Sequence, residues 1–535
     1  MPPARHENTT AQRVVAAAPA TPRTRLSELI AAQSLTTDLA FAQPMEHVLR
    51  ACLIALRVGE RLGVDEQTRA DAYWVTLLAT VCTGESFEMV KLFGDDIAFR
   101  SGMYHVGPSQ FAVMFYALGQ AGAGRSPLSR AGTAARIVGS AGHSVESIFI
   151  AHCAVTTAVS RRFRLDPGVT QALPNTFARW DGKGIPRRVG GGDIPMPIHL
   201  MHLADMAEVH NSRGGLEAAI TVAREHSGKL LAPDVVHAFC ESAPEVLTDL
   251  DDPWERVVAA EPSTRGPLSE SEVDEVLEVI ADIADLKSPW FAGHSRGVSA
   301  LASRAVAAAG MPAADITTVR RAGLLHDLGR TAVANSVWDK PGPLTDGEQE
   351  RVRLHAYYTE RMLRRPALLA GLSAIAASHH ERLDGSGYHR AVRGAEIPLL
   401  GRYLAAADVF HAVQEERPYR PAMSERQAVR HMRTQVHDGK LDHAAVEAVL
   451  GVAGHRAATT VAAPAGLTPR EVEVLVLIAR GATTQQVSRL LNITPKTAGN
   501  HIERIYSKIG ASSRSTATLF AMQHGMLATL EPIEG

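Results

Sequence analysis

Seven residues of metal-ligand type stand between positions 294 and 408: His294, His326, Asp327, His355, His379, His380 and Asp408. Imidazoles and carboxylates at this density are costly to bury unless they are paired or bind metal. Two pairs are adjacent in sequence. His326-Asp327 follows Gly323-Leu324-Leu325, and His379-His380 ends the run Leu372-Ser373-Ala374-Ile375-Ala376-Ala377. Neighbouring helical residues point about 100° apart, so each pair can reach two metals, or one metal from two sides. A carboxylate that bridges two cations holds them about 3.5–4 Å apart, which suits in-line attack on a phosphodiester. Any one of these histidines alone reads as a packed core residue. The whole set, closed by Asp408 in an Ala-rich helix, reads as a metal centre.

The elements that must carry these residues are helices. Apolar residues recur three and four apart from about residue 34, and alternating β-branched runs are nearly absent. A 45% hydrophobic content with only 5% aromatics suits an Ala, Leu and Val core. The 535 residues suffice for about three domains. The expected order is a flexible leader (1–33), a first domain (34–249), a linker (250–271), a second domain (272–452), a linker (453–465) and a C-terminal domain (466–535). The formal net charge of −2 gives no global nucleic-acid or membrane signature, so any basic site must be local. Four widely spaced cysteines indicate neither a disulfide framework nor a CxxC zinc site. No secretory signal or apolar run of membrane-spanning length stands out, and the expected location is cytoplasmic.

The first two domains repeat each other. Residues 181–205 align without gaps to 384–408, with ten of the 25 positions identical, including both Asp-Gly-x-Gly turns and both Ile-Pro pairs. Upstream, Leu77-Leu78-Ala79-Thr80 matches Leu324-Leu325-His326-Asp327, and His47 falls on His294. The first copy must then hold about 44 extra residues between 85 and 145. It reads Ala79-Thr80 and Thr176-Phe177 where the second reads His-Asp and His-His, so it cannot hold the same metal pair. Its expected role is structural or regulatory.

Through Leu324-Leu325-His326-Asp327-Leu328-Gly329 and His379 to Tyr388, the second copy resembles the HD-GYP family of HD-domain phosphohydrolases. The resemblance implies an all-α, duplicated HD-type bundle with two divalent metal ions, iron or manganese, held by the seven ligands above. It implies hydrolysis of cyclic di-GMP or another phosphorylated small molecule, with Asp327 and Arg330 as catalytic residues. Arg330 stands where the family carries a lysine. Tyr388, Arg417 and Arg420 match positions that contact the nucleotide. Three departures stand out: His389 replaces the proline of Gly-Tyr-Pro, Trp290 stands where trinuclear members carry a glutamate, and His411 replaces an aspartate.

The last segment carries its own signals. Thr468-Pro469-Arg470-Glu471 reads as a capping box, and Thr494-Pro495 opens a second helix start. On that helix Ile502, Ile505 and Ile509 form an inner stripe, with Lys496, Thr497, Asn500, Arg504 and Lys508 on the outer side. This is the pattern of a helix-turn-helix that reads a major groove. The segment resembles the LuxR-type DNA-binding domain, which implies double-stranded DNA as a partner and a homodimer. The expected whole is a phosphodiesterase fused to a transcription-regulator module. The alternative is a regulator whose HD unit senses a nucleotide or metal without hydrolysis.

Overall fold

The computed structural model describes residues 24–528 apart from 82, 108, 141–142, 263–265 and 455–463, and without the side chains of 110 and 144. Its regular elements are helices, joined by loops that carry only isolated β-bridges.

The repeat appears in the helix order. His47–Leu62 and Glu66–Leu78 in the first copy answer to His294–Ala308 and Ala313–Leu325 in the second. His143–Arg162 answers to Asp346–Leu363, and Met196–His226 begins where Leu399–Val413 begins. The loops repeat as well. Gly191 N donates to Trp180 O at 2.9 Å, and Gly394 N donates to Leu383 O at 3.0 Å. Gly182 and Gly385 hold positive φ at +69° and +79°, backbone that only glycine adopts freely. The extra residues of the first copy form four helices, Ser86–Phe93, Asp96–Met103, Gln110–Gln120 and Pro127–Gly139. They close a small core of their own around stacked Phe93 and Phe99.

One hydrophobic core runs through both copies and takes in Leu519 and Met522 near the C-terminus. The leader expected to reach residue 33 ends earlier. The helix Leu26–Ala40 begins within it, with Leu26, Leu29, Ile30 and Leu35 buried. That helix packs against the turn Leu328–Ala332 of the second copy, so its apolar residues are claimed by a distant segment. The linker expected over 250–271 likewise contains the helix Pro253–Ala259, seated by buried Trp254 and Val257. The second linker lies largely outside the described residues, and a short turn, Pro464–Gly466, ends it.

The C-terminal helices are Pro469–Ala479, Thr484–Leu490, Pro495–Ile509 and Arg514–Gln523. Thr468 and Glu471 form the expected capping box, and Thr494 caps Pro495–Ile509 by accepting from Thr497 N at 3.1 Å. Ala498 and Ile505 are fully buried, while Ile502 and Ile509 are half-buried. The last helix, Arg514–Gln523, packs on His143–Arg162 of the first copy.

Candidate metal centre

The two adjacent pairs sit at helix ends, where the chain turns inward. His326 follows Ala313–Leu325, and His379 follows Ala367–Ala377 by two residues. At three positions the ring Nδ1 meets the carbonyl three residues back: His326 on Gly323, His355 on Val352 and His379 on Ala376. A carbonyl only accepts, so Nδ1 carries a proton at each, and in the neutral ring it is Nε2 that presents the lone pair.

Those lone pairs converge on Asp327. Its Oδ1 lies 3.3 Å from His355 Nε2 and 3.5 Å from His379 Nε2. Its Oδ2 lies 2.7 Å from His326 Nε2 and 3.3 Å from His294 Nε2. His355 Nε2 and His379 Nε2 face each other at 3.1 Å, with neither free to donate. Asp327 Oδ1 and His326 Nε2 are buried without a hydrogen-bond partner, and Asp327 Oδ2 has only the ion pair with Arg330. Acceptors crowded against acceptors in this way fit a cation between them.

Two groups of ligand-type side chains flank Asp327, His294 and His326 with Asp327 itself on one side and His355, His379 and His380 on the other, while a third joins His294 to His411 and Glu415. Asp327 gives one oxygen to each of the first two. Asp408 completes the ring, with Oδ1 3.3 Å from His294 Nε2 and Oδ2 4.0 Å from His380 Nδ1. Electrostatics prepare the set. Burial, aided by the neighbouring histidines, pushes His379 down to about 4 and His380 well below its usual range, so both are neutral donors. Burial alone would raise Asp327, but the Arg330 guanidinium beside it holds it well below the carboxylate range.

The cationic wall stands beside Asp327. Arg330 Nη2 meets Asp327 Oδ2 at 2.5 Å, while its buried Nε and Nη1 have no acceptor. Phe291 lies beneath both guanidiniums, 4.4 Å from Arg330 and 4.9 Å from Arg417. Arg417 is held by the carbonyl of Trp290 and by Glu415. Tyr388 stacks on His380 with ring centroids 4.7 Å apart, so it faces the cluster. Arg420 departs from expectation. Its guanidinium donates to the carbonyls of Ala412, Val413 and Glu415 and so closes the end of Leu399–Val413. His389 also turns away, with Nε2 2.8 Å from Glu360.

On the C-terminal module Lys496, Thr497, Asn500 and Arg504 are exposed along one helix, although the Thr497 hydroxyl is engaged with Thr494. Lys508 is drawn back instead. Its Nζ meets Glu471 at 2.7 Å and the carbonyl of Gly466 at 3.0 Å.

Residues 278–445 match the family model "HD domain", and residues 465–521 match that of the bacterial regulatory proteins of the luxR family. The 3'3'-cGAMP-specific phosphodiesterase 3 of Vibrio cholerae is 31% identical over 420 residues, spanning 77% of this chain and 91% of that relative. This chain belongs to the HD-GYP phosphodiesterase family. A cyclic di-GMP phosphodiesterase of Thermotoga maritima is 36% identical over 149 residues, 27% of this chain and 40% of its own. A crystal structure of a cyclic GMP-AMP-specific phosphodiesterase from V. cholerae matches with a TM-score of 0.56 at 26% identity, covering 81% of this chain and 98% of the other.

In this HD-GYP protein the first copy shows what replaced the ligands. Its His152 stands where the second copy has His355, at the same offset that aligns residues 181–205 with 384–408. His152 Nε2 lies 2.6 Å from the carbonyl of Ala79, and Phe177 packs 5.1 Å from its ring. His47 is closed off by Asp205 at 2.8 Å and by Glu208.

Two further residues escaped the sequence reading. Glu415 Oε2 lies 2.9 Å from His294 Nδ1, and with the histidine's Nε2 facing the cluster this orients the ring. Asp408, His411 and Glu415 are spaced three and four apart, a helical face that could have disclosed it. Asp285 accepts from Ser295 N at 2.9 Å, as Asp38 accepts from Val48 N at 3.0 Å. Both aspartates precede the first-position histidine by nine residues, a repeat readable in the sequence.

Proposed function

We propose that this HD-GYP protein hydrolyses a cyclic dinucleotide, cyclic di-GMP or 3'3'-cGAMP, at a centre of two divalent metal ions, iron or manganese. The observation that carries this reading is Asp327, whose two oxygens face separate histidine groups. His294, His326, His355, His379, His380 and Asp408 would hold the cations with it. Bound cations supply an activated water and charge neutralisation at the phosphoryl group. Arg330 adds two free donor nitrogens beside Asp327, where negative charge develops on the phosphoryl oxygens. Tyr388, stacked over His380, offers a flat face to a base. The relatives named above support a cyclic dinucleotide as the substrate class.

The exposed Lys496, Thr497, Asn500 and Arg504 would meet double-stranded DNA, with two copies of the chain paired on two half-sites. No helix among the described residues is long and apolar enough to cross a membrane. A DNA partner favours a cytoplasmic location.

A second reading, in which the HD unit senses its ligand without turnover, is favoured by one contact. The C-terminal module rests on the segment leading into His294, where Leu527 lies against Gly293 and Gly481 against Pro289.

The test is purified full-length protein loaded with manganese or iron and offered both dinucleotides. Linear or mononucleotide product is expected, and none is expected from Asp327→Ala. Intact substrate alongside an active control enzyme would remove the hydrolytic reading. Turnover lost in Asp327→Ala with DNA regulation unchanged would remove the sensing one.

A further inference from the structure

We propose that Asp96, in the insertion of the first copy, is a positioning residue for the reaction at the metal centre of the second. The proposal rests on reading that centre as a phosphodiesterase site. Asp96 is fully buried, at 0% exposure. Its Oδ2 accepts from Lys287 Nζ at 2.8 Å and from Arg100 Nη1 at 3.0 Å, and its Oδ1 accepts from the backbone N–H of Asn335 at 2.8 Å. Lys287 is also fully buried. Arg100 is also paired with Glu85 at 2.8 Å, so the two cations and two carboxylates balance among themselves.

The two groups fixed by Asp96 begin the two segments that flank Arg330. Lys287 leads through Ser288 into the turn Pro289–Phe291, and Asn335 opens the helix Asn335–Trp338. Phe291 lies 4.4 Å below the Arg330 guanidinium and Trp338 lies 5.8 Å from it. Trp338 Nε1 also donates to the Arg330 carbonyl at 3.1 Å. The segments are tied to each other as well. Asn335 Nδ2 donates to Lys287 O at 2.6 Å, and Ser288 Oγ donates to Asp339 at 2.6 Å. One carboxylate thus sets the separation of both walls of the Arg330 pocket.

Buried ion pairs contribute little net stability over apolar packing, because desolvation offsets the attraction. What Asp96 adds is register, and register matters at this place. Arg330 holds Asp327 with one nitrogen and keeps two free, so a wall displaced by about 1 Å would mis-aim them, a shift that can cost about 10²-fold in rate. The degenerate copy, stripped of ligands, is on this account still part of the catalytic apparatus.

The experiment uses Asp96→Asn in the full chain, which preserves size and an acceptor for Asn335 but removes the charge facing Lys287. Metal content, kcat on the hydrolysed dinucleotide, and the affinity of the manganese-loaded protein for inorganic phosphate are measured in the wild-type and Arg330→Ala backgrounds. Asp96→Asn is expected to lower kcat about tenfold or more with KM within about twofold, and to weaken phosphate binding similarly, at unchanged metal content. In the Arg330→Ala background it is expected to change neither by more than about twofold, since coupled residues are not additive. The charge-balanced pair Asp96→Asn with Lys287→Met is expected to recover Tm without recovering kcat. Equal losses in both backgrounds, losses that follow metal content, or recovery of kcat together with Tm would each reduce Asp96 to a fold contact. An active wild type with an unimpaired Asp96→Asn overturns the Asp96 role alone. A wild type with neither turnover nor phosphate binding overturns the reading of the site, and the proposal with it.

Discussion

His355 and Asp327 face each other, Nε2 to Oδ1 at 3.3 Å, both buried, with the histidine's Nδ1 turned to the Val352 carbonyl so that the neutral ring meets the carboxylate acceptor to acceptor. The same relation holds between Asp327 and His379. Protein atoms so arranged repel until a cation separates them, so metal binding and folding of this copy are linked.

Chelation should therefore lower Tm, and manganese should restore it. At free metal 100-fold above Kd the stabilisation is about 2.7 kcal/mol per site, and Asp327→Ala should lose most of it. Calorimetry with and without chelator reads the difference. An equal Tm in both conditions would count against a metal centre.

Arg330→Ala should lower kcat by about 10²–10³-fold, the range for removing one preorganised donor from a developing oxyanion. Arg330→Lys should recover part of the loss, because an ammonium supplies the charge but not the planar fork. Steady-state kinetics at fixed metal content separate the two.

In the first copy, burial pulls His47 down, but Asp205 and Glu208 outweigh it and raise it from 6.5 to about 10. A raised base stabilises the fold fully below its unfolded pKa and ceases to do so as pH rises through the folded one. Stability should therefore fall between about pH 6.5 and 10. Asp38, raised by burial to about 7, gives a fall in the same direction at lower pH. His47→Gln should flatten the upper part of the Tm–pH curve, which thermal melts across that range would reveal.

Lys496→Ala and Arg504→Ala should weaken DNA binding across sequences and reduce the salt slope by about one each if they contact phosphate. Lys508→Ala should leave that slope unchanged and lower the stability of the module, because its charge is used on Glu471. Binding titrations at several salt concentrations distinguish the two behaviours.

Gly499→Ala should stabilise the recognition helix by roughly 1 kcal/mol. Nothing lies within 4 Å of a Cβ built there, so the substitution meets no neighbour. Denaturant unfolding of the full chain checks the sign.

Much of the site was legible because its information is local. Adjacent His-Asp and His-His pairs, capping boxes and the Asp-Gly-x-Gly turns are written within a few residues of one another. The setting of Arg420 was not legible, because a guanidinium near an active-site motif looks alike whether it meets a nucleotide or a helix end. Only the position of the Ala412 and Val413 carbonyls decides. The leader misled for the converse reason. Leu26, Leu29 and Ile30 are buried in a helix that packs both on the first copy and on a turn of the second, a contact that no local pattern shows.

The sequence by itself determined the helical class, the duplication, the loss of ligands from one copy and the DNA-reading helix. Each of these follows from residue type and spacing along a regular backbone. Only the tertiary structure decided that Asp327 offers one oxygen to each histidine group, that Glu415 orients His294, and that Asp96 reaches Lys287 across 191 positions. These relations join segments that are remote in the chain. They exist because burial leaves a charge no partner except the one that folding brings to it.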